Sequence, residues 1–237
     1  LDGFDLQPMV GMNHTLPYYA KLLEAAGCAK AKDLLVFRLK KEDAQMDQVN
    51  RIASLAARKE GLVVRPIDLK RLPEECAKFA AIFAEAWRDN WGMVPISAKE
   101  FQEAYERYRF FIVPELTLVA EIDGKPAGCA LVMPDMNVPL KKMKGRLLSP
   151  GLWNLLTGRS QIDRYRFFMA GVRPEYRRLG LPVVFLVRFQ EELVRRKAKT
   201  LELSWILETN HEVIALMNRI GAKRVQTLRL FERTLVV

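Results

Sequence analysis

The sequence predicts an α+β fold in which helices flank a mixed, largely antiparallel sheet. Three observations predict it. From about Gly61 the apolar patterning runs strand, helix, helix, strand, strand, strand, helix, strand, helix, strand. LTLVAEIDGKPAGCALVM is two strand-like runs joined at Asp123 and Gly124, a hairpin signal that makes part of the sheet antiparallel. The later strand-like runs are joined through helices instead.

Residues 17–26, PYYAKLLEAA, read as a helix ending at Gly27, a left-handed position just past the helix end, and the alternation around Leu34 and Val36 reads as a strand. The C-terminus repeats this plan: Asn210 opens a helix that ends at Gly221, and 225–237 reads as strand. Phe37 and Phe231 lie ten residues past their respective glycines. This echo predicts that residues 1–40 are the last helix and strand of an upstream module. Residues 41–60 are then a connector whose Val49, Ile52, Ala53, Leu55 and Ala56 make an amphipathic helix, and 61–237 is the main domain.

In that domain LVVRPID is a strand stopped by Pro66. Cys76, Phe79, Ala80, Phe83, Ala86 and Trp87 recur at helical spacing, with Pro73 and two glutamates in the first turn. Ser97 and Glu100 make a capping box ahead of the apolar face Phe101, Ala104, Tyr105 and Tyr108. After a long loop, YRFFMAGV reads as a strand, LPVVFLVRFQEELVRRKA as a helix and TLELSWIL as a strand.

Composition narrows the function. Of 237 residues 50% are apolar, so a globular core is expected, and the longest apolar run, around Leu181 to Val187, is far short of the roughly 20 residues of a membrane-spanning helix. The first residues lack the basic start and apolar stretch of a signal peptide, and the chain, which begins at Leu1, is read as a fragment. Cys28, Cys76 and Cys129 have no CxxC spacing and read as buried thiols in a reducing cytoplasm. Two histidines, His14 and His211, leave little from which to build a metal site or a Cys/His nucleophile, so no metal is expected. Charge is uneven: between Val138 and Arg178 Lys141, Lys142, Lys144, Arg146, Arg159, Arg164, Arg166, Arg173, Arg177 and Arg178 face only Asp163 and Glu175, a net +8 of the chain's +10. An anionic partner for that stretch follows.

GVRPEYRRLGLP, Gly171 to Pro182, lies between a predicted strand and a predicted helix. A tight turn feeding a helix start aims backbone N–H groups and the positive end of the helix dipole outward, which suits a phosphate, and Arg173, Arg177 and Arg178 add charge there. The alternative is a basic turn in which Gly180 only caps a helix.

Here the sequence resembles the GNAT superfamily of acyl-CoA-dependent N-acyltransferases over about residues 61–237. The resemblance implies a three-layer arrangement around the sheet and a turn of the form Gln or Arg, two residues, Gly, one residue, then Gly or Ala, whose amides hold the pyrophosphate of coenzyme A. Arg177 and Gly180 match; Pro182 departs and removes one N–H. NWGMVP, KKMKGRLLSPGLW and LELSWILETN look like a bacterial branch of that superfamily.

By this resemblance the ligand is acetyl-CoA or another acyl-CoA. The cofactor-binding residues would be Gly171, Val172 and Arg173, whose backbone would pair with the pantetheine arm; Arg177, Arg178, Leu179, Gly180 and Leu181 in the turn; and Asn210 near the thioester. For Asn210 a helix N-cap is the other reading, and both can hold together. The implied reaction is direct transfer of an acetyl or longer acyl group to a small-molecule or peptide amine. Where the family often has a tyrosine acid in the last helix, this sequence has Met217. Glu208 is the candidate base, with Tyr165 and Tyr176 as alternatives and a paired structural glutamate as the other reading. Trp91 and Tyr105 are candidates for an acceptor pocket. The loop Pro139 to Ile162 mixes basic residues with Leu147, Leu148, Leu152, Trp153, Leu155 and Leu156, suited to an anionic membrane surface, to covering a long acyl chain, or to a packed lid.

Two competing readings remain: a GNAT-like domain that binds coenzyme A without catalysis, and a binder of nucleic acid or an anionic surface. No RNP, zinc-finger or helix-turn-helix signature accompanies the charge, so nucleic acid is not expected.

Overall fold

The computed structural model describes residues 1–145 and 151–234. In chain order the elements are α1 (Tyr18–Ala25), β1 (Ala29–Lys40), α2 (Asp47–Ala56), β2 (Leu62–Pro66), α3 (Leu72–Ala86), α4 (Ala98–Tyr108), β3 (Thr117–Ile122) and β4 (Lys125–Pro134). There follow α5 (Asn137–Met143), α6 (Gly151–Gly158), β5 (Arg164–Val172), α7 (Leu181–Arg195), β6 (Thr200–Leu207), α8 (His211–Arg219) and β7 (Lys223–Glu232). The strands hydrogen-bond in the order β2-β3-β4-β5-β6-β1-β7. The fold class is the α+β arrangement read from the sequence.

The local chemistry explains most boundaries. Asp123 and Gly124 both have positive φ, 49° and 76°, as a tight hairpin turn with right-handed strand twist requires, and β3 and β4 pair across it from Ile122↔Lys125 to Thr117↔Leu131. Ser97 Oγ accepts the Glu100 N–H at 3.2 Å while the Glu100 carboxylate accepts the Ser97 N–H at 2.8 Å, so the capping box starts α4.

Three expectations change. The loop assigned to 139–162 contains α5, α6 and a 3-10 turn at Arg159–Gln161. Short amphipathic turns rich in Leu and Lys carry too few residues for the helical period to stand out. The connector helix is shorter than 41–60, because a 3-10 turn at Lys41–Asp43 precedes α2. The last strand starts at Lys223 and ends at Glu232. Arg146, Leu147, Leu148 and Val237, also singled out above, lie outside the described residues.

The chain divides into two compact units, one of Leu1–Gln45, Asp135–Arg166 and Ala198–Val237, the other of Met46–Pro134 and Phe167–Lys197. Residues 1–40 thus fall in the same unit as β6, α8 and β7, and β1 pairs antiparallel with both β6 and β7. In the second unit Ile67, Phe79, Ile82, Val119 and Cys129 form a core on which Leu72, Phe101, Tyr105 and Met169 pack. Burying each of the larger side chains contributes roughly 1.5–3 kcal/mol. At one side of this unit the Arg65 guanidinium bridges Glu75 at 2.8 Å and Glu121 at 3.0 Å, and Lys78 joins both carboxylates.

Candidate functional site

The second unit holds the strand-to-helix turn. At the end of β5, Gly171 and Val172 are buried. A Cβ on Gly171 would stand 3.2 Å from Ala86 Cβ and 3.4 Å from Ile82 Cγ2, so the absence of a side chain lets α3 close on the strand. Trp87 Nε1 donates to the Ala170 carbonyl at 3.0 Å across the same contact. Arg173 donates its N–H to the Ala127 carbonyl at 3.0 Å and pairs its guanidinium with Glu85 at 3.1 Å. A 3-10 turn then runs from Pro174 to Leu179, and Gly180, at φ +72°, hands the chain to α7.

Gly180 is required by conformation rather than space, because a Cβ there would come no closer than 3.5 Å to Ala56 Cβ. Its carbonyl accepts the N–H groups of Val183 at 3.0 Å and Val184 at 3.2 Å. The N–H groups of Gly180 and Leu181 precede these donors and have no place in the ladder of α7. The Leu181 side chain is fully buried, which leaves its backbone as the part that can meet a ligand. Pro182 is exposed at the second helical position, where its missing N–H narrows the anion cradle by one donor. Arg177 donates to the Ala86 carbonyl at 3.1 Å and so ties the turn to the end of α3. Arg178 is exposed beside the helix start. Backbone donors, a helix dipole and one uncommitted guanidinium together match the chemistry of a pyrophosphate.

Trp91, placed in the acceptor pocket by sequence, is 48% exposed just past α3. Tyr105 packs on the core from α4, and burial raises the pKa of its phenol. Trp87, read as core, stacks on Phe83 at 5.1 Å between ring centroids. The structure therefore gathers the turn residues, Trp91 and Tyr105 in one unit, while Glu208 and Asn210 belong to the other.

There, Glu208 pairs with Lys30 Nζ at 2.7 Å and accepts the Asp33 N–H at 3.1 Å. The Lys30 ammonium and that amide hold its carboxyl below the usual carboxylate range. Asp33 in turn accepts two bonds from Arg229, at 2.9 and 3.0 Å, which hold it at about 2. A carboxylate committed to two donors is a weak proton acceptor. Asn210 Oδ1 accepts the Val213 N–H at 3.3 Å and is the N-cap of α8. Met217 is buried within α8 and offers no proton. Tyr165 is buried in β5, as read.

Sequence reasoning missed a buried polar cluster in this unit. Arg166, 1% exposed, donates to Ser204 Oγ at 3.0 Å and to the Val10 carbonyl at 2.7 Å, and lies 5.0 Å from the Trp205 ring centroid. Glu202, also buried, pairs with Arg38 at 3.2 Å. Asp135, fully buried, accepts the Val10 N–H at 3.0 Å and meets Arg164 at 3.1 Å; burial pushes its carboxyl up despite Arg164. The available signal was alternation: Arg164 and Arg166 on β5, and Glu202 and Ser204 on β6, each share one strand face.

These contacts also occupy part of the basic stretch for which an anionic partner is expected. Arg164, Arg166, Arg173 and Arg177 are spent on internal partners, and Lys142 bonds Gln161. A run of charge in sequence says nothing about which side chains point inward. Burial raises the thiol pKa of Cys76 to about 11 and of Cys129 to about 12. Among the described residues no cluster of three or more His, Cys, Asp or Glu could hold a metal, and no helix is long and apolar enough to cross a membrane.

No family model matches the chain. It is 32% identical over 242 residues to Protein YghO of Escherichia coli K12, an alignment covering 98% of this chain and 61% of that protein. It is 28% identical over 247 residues to the bacterial ceramide synthase of Caulobacter vibrioides, covering 98% of this chain and 62% of that one. The chain thus spans about three fifths of the length of the curated relatives it matches. Among solved structures it superposes on a GCN5-related N-acetyltransferase from Sphaerobacter thermophilus with a TM-score of 0.58 at 18% identity, over 90% of this chain and 54% of that one. Strand order, the β5–Gly180–α7 turn and this likeness agree: the chain has the fold of the GCN5-related N-acetyltransferases, the GNAT fold.

Proposed function

We propose that the chain is an N-acyltransferase that takes an acyl group from an acyl-CoA and passes it directly to an amine. The observation that carries this reading is the turn in which Gly180, left-handed, opens α7 at the end of β5 beside the exposed Arg178. Residues Arg178, Gly180 and Leu181 hold the pyrophosphate by one guanidinium and two backbone N–H groups. Bound there, the coenzyme supplies an activated thioester. Arg177 positions the turn through the Ala86 carbonyl, and Gly171 keeps α3 against the strand that leads into it.

With Glu208 committed to Lys30 and Met217 in place of an acid, neither of these two positions supplies proton transfer. The amine then reacts as its neutral form drawn from solution, and the thiolate leaves without an acid partner. The donor we favour is longer than acetyl and the acceptor an amine carrying an apolar chain. The relative named ceramide synthase supports this.

The test is a thermal melt with acetyl-CoA, a long-chain acyl-CoA and ATP, followed by thiol release on a panel of amines. Acyl-CoA at about 100 times its Kd should add about 2.7 kcal/mol, a rise of roughly 5–10 °C, with ATP giving less. An equal shift with ATP, or none with any thioester, would sink the assignment. Binding without thiol release on any amine would favour a domain that keeps the ligand and has lost the chemistry.

A further inference from the structure

The unit formed by β6, β1, β7 and their helices contains a local two-fold symmetry. The shift that carries Gly27 onto Gly221 superimposes the hydrogen bonds closing α1 and α8. Gly27 and Cys28 donate to Glu24 and Leu23 at 2.9 and 3.0 Å; Gly221 and Ala222 donate to Asn218 and Met217 at 3.1 and 3.0 Å. Both glycines are left-handed, at φ 79° and 84°. The same shift carries Leu34 onto Leu228, and these two residues pair with each other in the antiparallel β1–β7 ladder. Asp33↔Arg229 and Leu35↔Thr227 then exchange under it, as do Lys32↔Leu230 and Val36↔Gln226. This is the self-complementary pattern of an isologous interface, here built within one chain.

The symmetry extends to the outer edges. On the side of β1 away from β7, the Asp33 carbonyl accepts the Glu208 N–H at 3.0 Å and the Asp33 N–H bonds the Glu208 carboxylate, where β6 ends. On β7 the counterpart of Asp33 is Thr227. Its carbonyl accepts the Leu1 nitrogen at 2.6 Å, and its N–H bonds the Asp2 carboxylate. Leu1 and Asp2 therefore make on β7 the contacts that Glu208, at the end of β6, makes on β1. Among the described residues, the strand corresponding to β6 is the part without a counterpart along Leu228–Glu232. Helix α1 is bare as well: it has no buried residue, and Leu22 is 58% exposed, whereas its counterpart α8 buries Met217.

We propose that the outer edge of β7 receives a strand from a second module of this same fold, the module to which α1 and β1 belong, preceding Leu1 in the same polypeptide. The incoming strand runs antiparallel to β7 along Leu228–Glu232 and ends at Leu1–Asp2, and the body of that module covers α1. Each module would then lend its last strand to the centre of a shared sheet. An apolar edge with Leu228, Leu230 and Phe231 half-exposed is a pairing hazard unless something covers it. The greater length of both curated relatives leaves room for such a module. A second copy of this chain is a poorer occupant, because its own β6 is already taken by its β1.

Amide hydrogen exchange tests this on the 237-residue chain and on the polypeptide translated from the complete reading frame. By alternation from Thr227, the amides of Arg229 and Phe231 face the outer edge. Their exchange, and that of α1, should slow by on the order of a hundredfold in the longer polypeptide. Leu22→Glu should lower the Tm of the longer polypeptide and leave that of the 237-residue chain unchanged. Unchanged exchange, or a reading frame that adds no second fold, would overturn the proposal. So would protection that rises with concentration in the shorter chain, which would make a second copy the occupant.

Discussion

Arg177 and Arg178 are neighbours with different work. Arg177 is anchored to the Ala86 carbonyl, while Arg178 is exposed at the mouth of the turn. Replacing Arg178 by Ala should weaken coenzyme A binding by roughly 10–100-fold, the worth of one charge-assisted hydrogen bond, with little change in melting temperature. Arg177→Ala should instead lower the melting temperature by loosening the turn from α3. Calorimetric titration and thermal melts on the two variants separate the effects; equal losses of affinity would show that both touch phosphate. At Glu208 the expectation is kinetic. If the neutral amine comes from solution, the rate should climb with pH toward the amine's own pKa, about 10 for an alkylamine, in wild type and in Glu208→Gln alike. A pH limb that disappears in the variant would make Glu208 the base. Neither distinction was legible beforehand, because Arg177 and Glu208 take their partners from distant parts of the chain.

Elements with strong local signals are where the sequence reading was most successful. The start of α4 was legible because Ser97 and Glu100 satisfy each other's N–H groups without help from the rest of the fold. Ser97→Ala should cost about 1 kcal/mol, measured by denaturant melts at constant m-value. The Asp123–Gly124 hairpin and the 15-residue α7 were legible for the same reason. Helices α5 and α6 were not, since each spans only about two turns. The position of β1 was also hidden. Its residues announce a strand, but only long-range pairing places it between β6 and β7.

For the whole molecule, carboxylates paired with basic side chains set the acid limit of stability. Asp33 drops from 3.8 to about 2, chiefly through its bonds from Arg229; Glu75 drops from 4.5 to about 2, where burial opposes the shift but Arg65 and Lys78 outweigh it. Both folded-state values lie below the unfolded ones. Their stabilisation is therefore complete above about pH 5 and is lost as pH falls toward 2. Each contributes roughly 2–3 kcal/mol at neutral pH. Urea melts between pH 7 and 2 should show this fall, and Asp33→Asn should start less stable and lose less on acidification. A slope unchanged in the variant would mean that Asp33 does not titrate with folding.

Apolar periodicity, turn residues and caps determined the α+β class, the element order from Gly61 and the identity of the turn before α7, because these signals act over a few residues. The chain's internal echo could be heard in Gly27 and Gly221, and their equal distance to Phe37 and Phe231. Folding decided which charges are spent inside: the net +8 stretch loses Arg164, Arg166, Arg173 and Arg177 to partners far away in sequence. It also decided that Glu208 is tied down and that, among the described residues, β7 is the terminal strand of its sheet. Such outcomes depend on which backbone edges and side chains meet, and a strand's residues are the same whether its edge is filled or free.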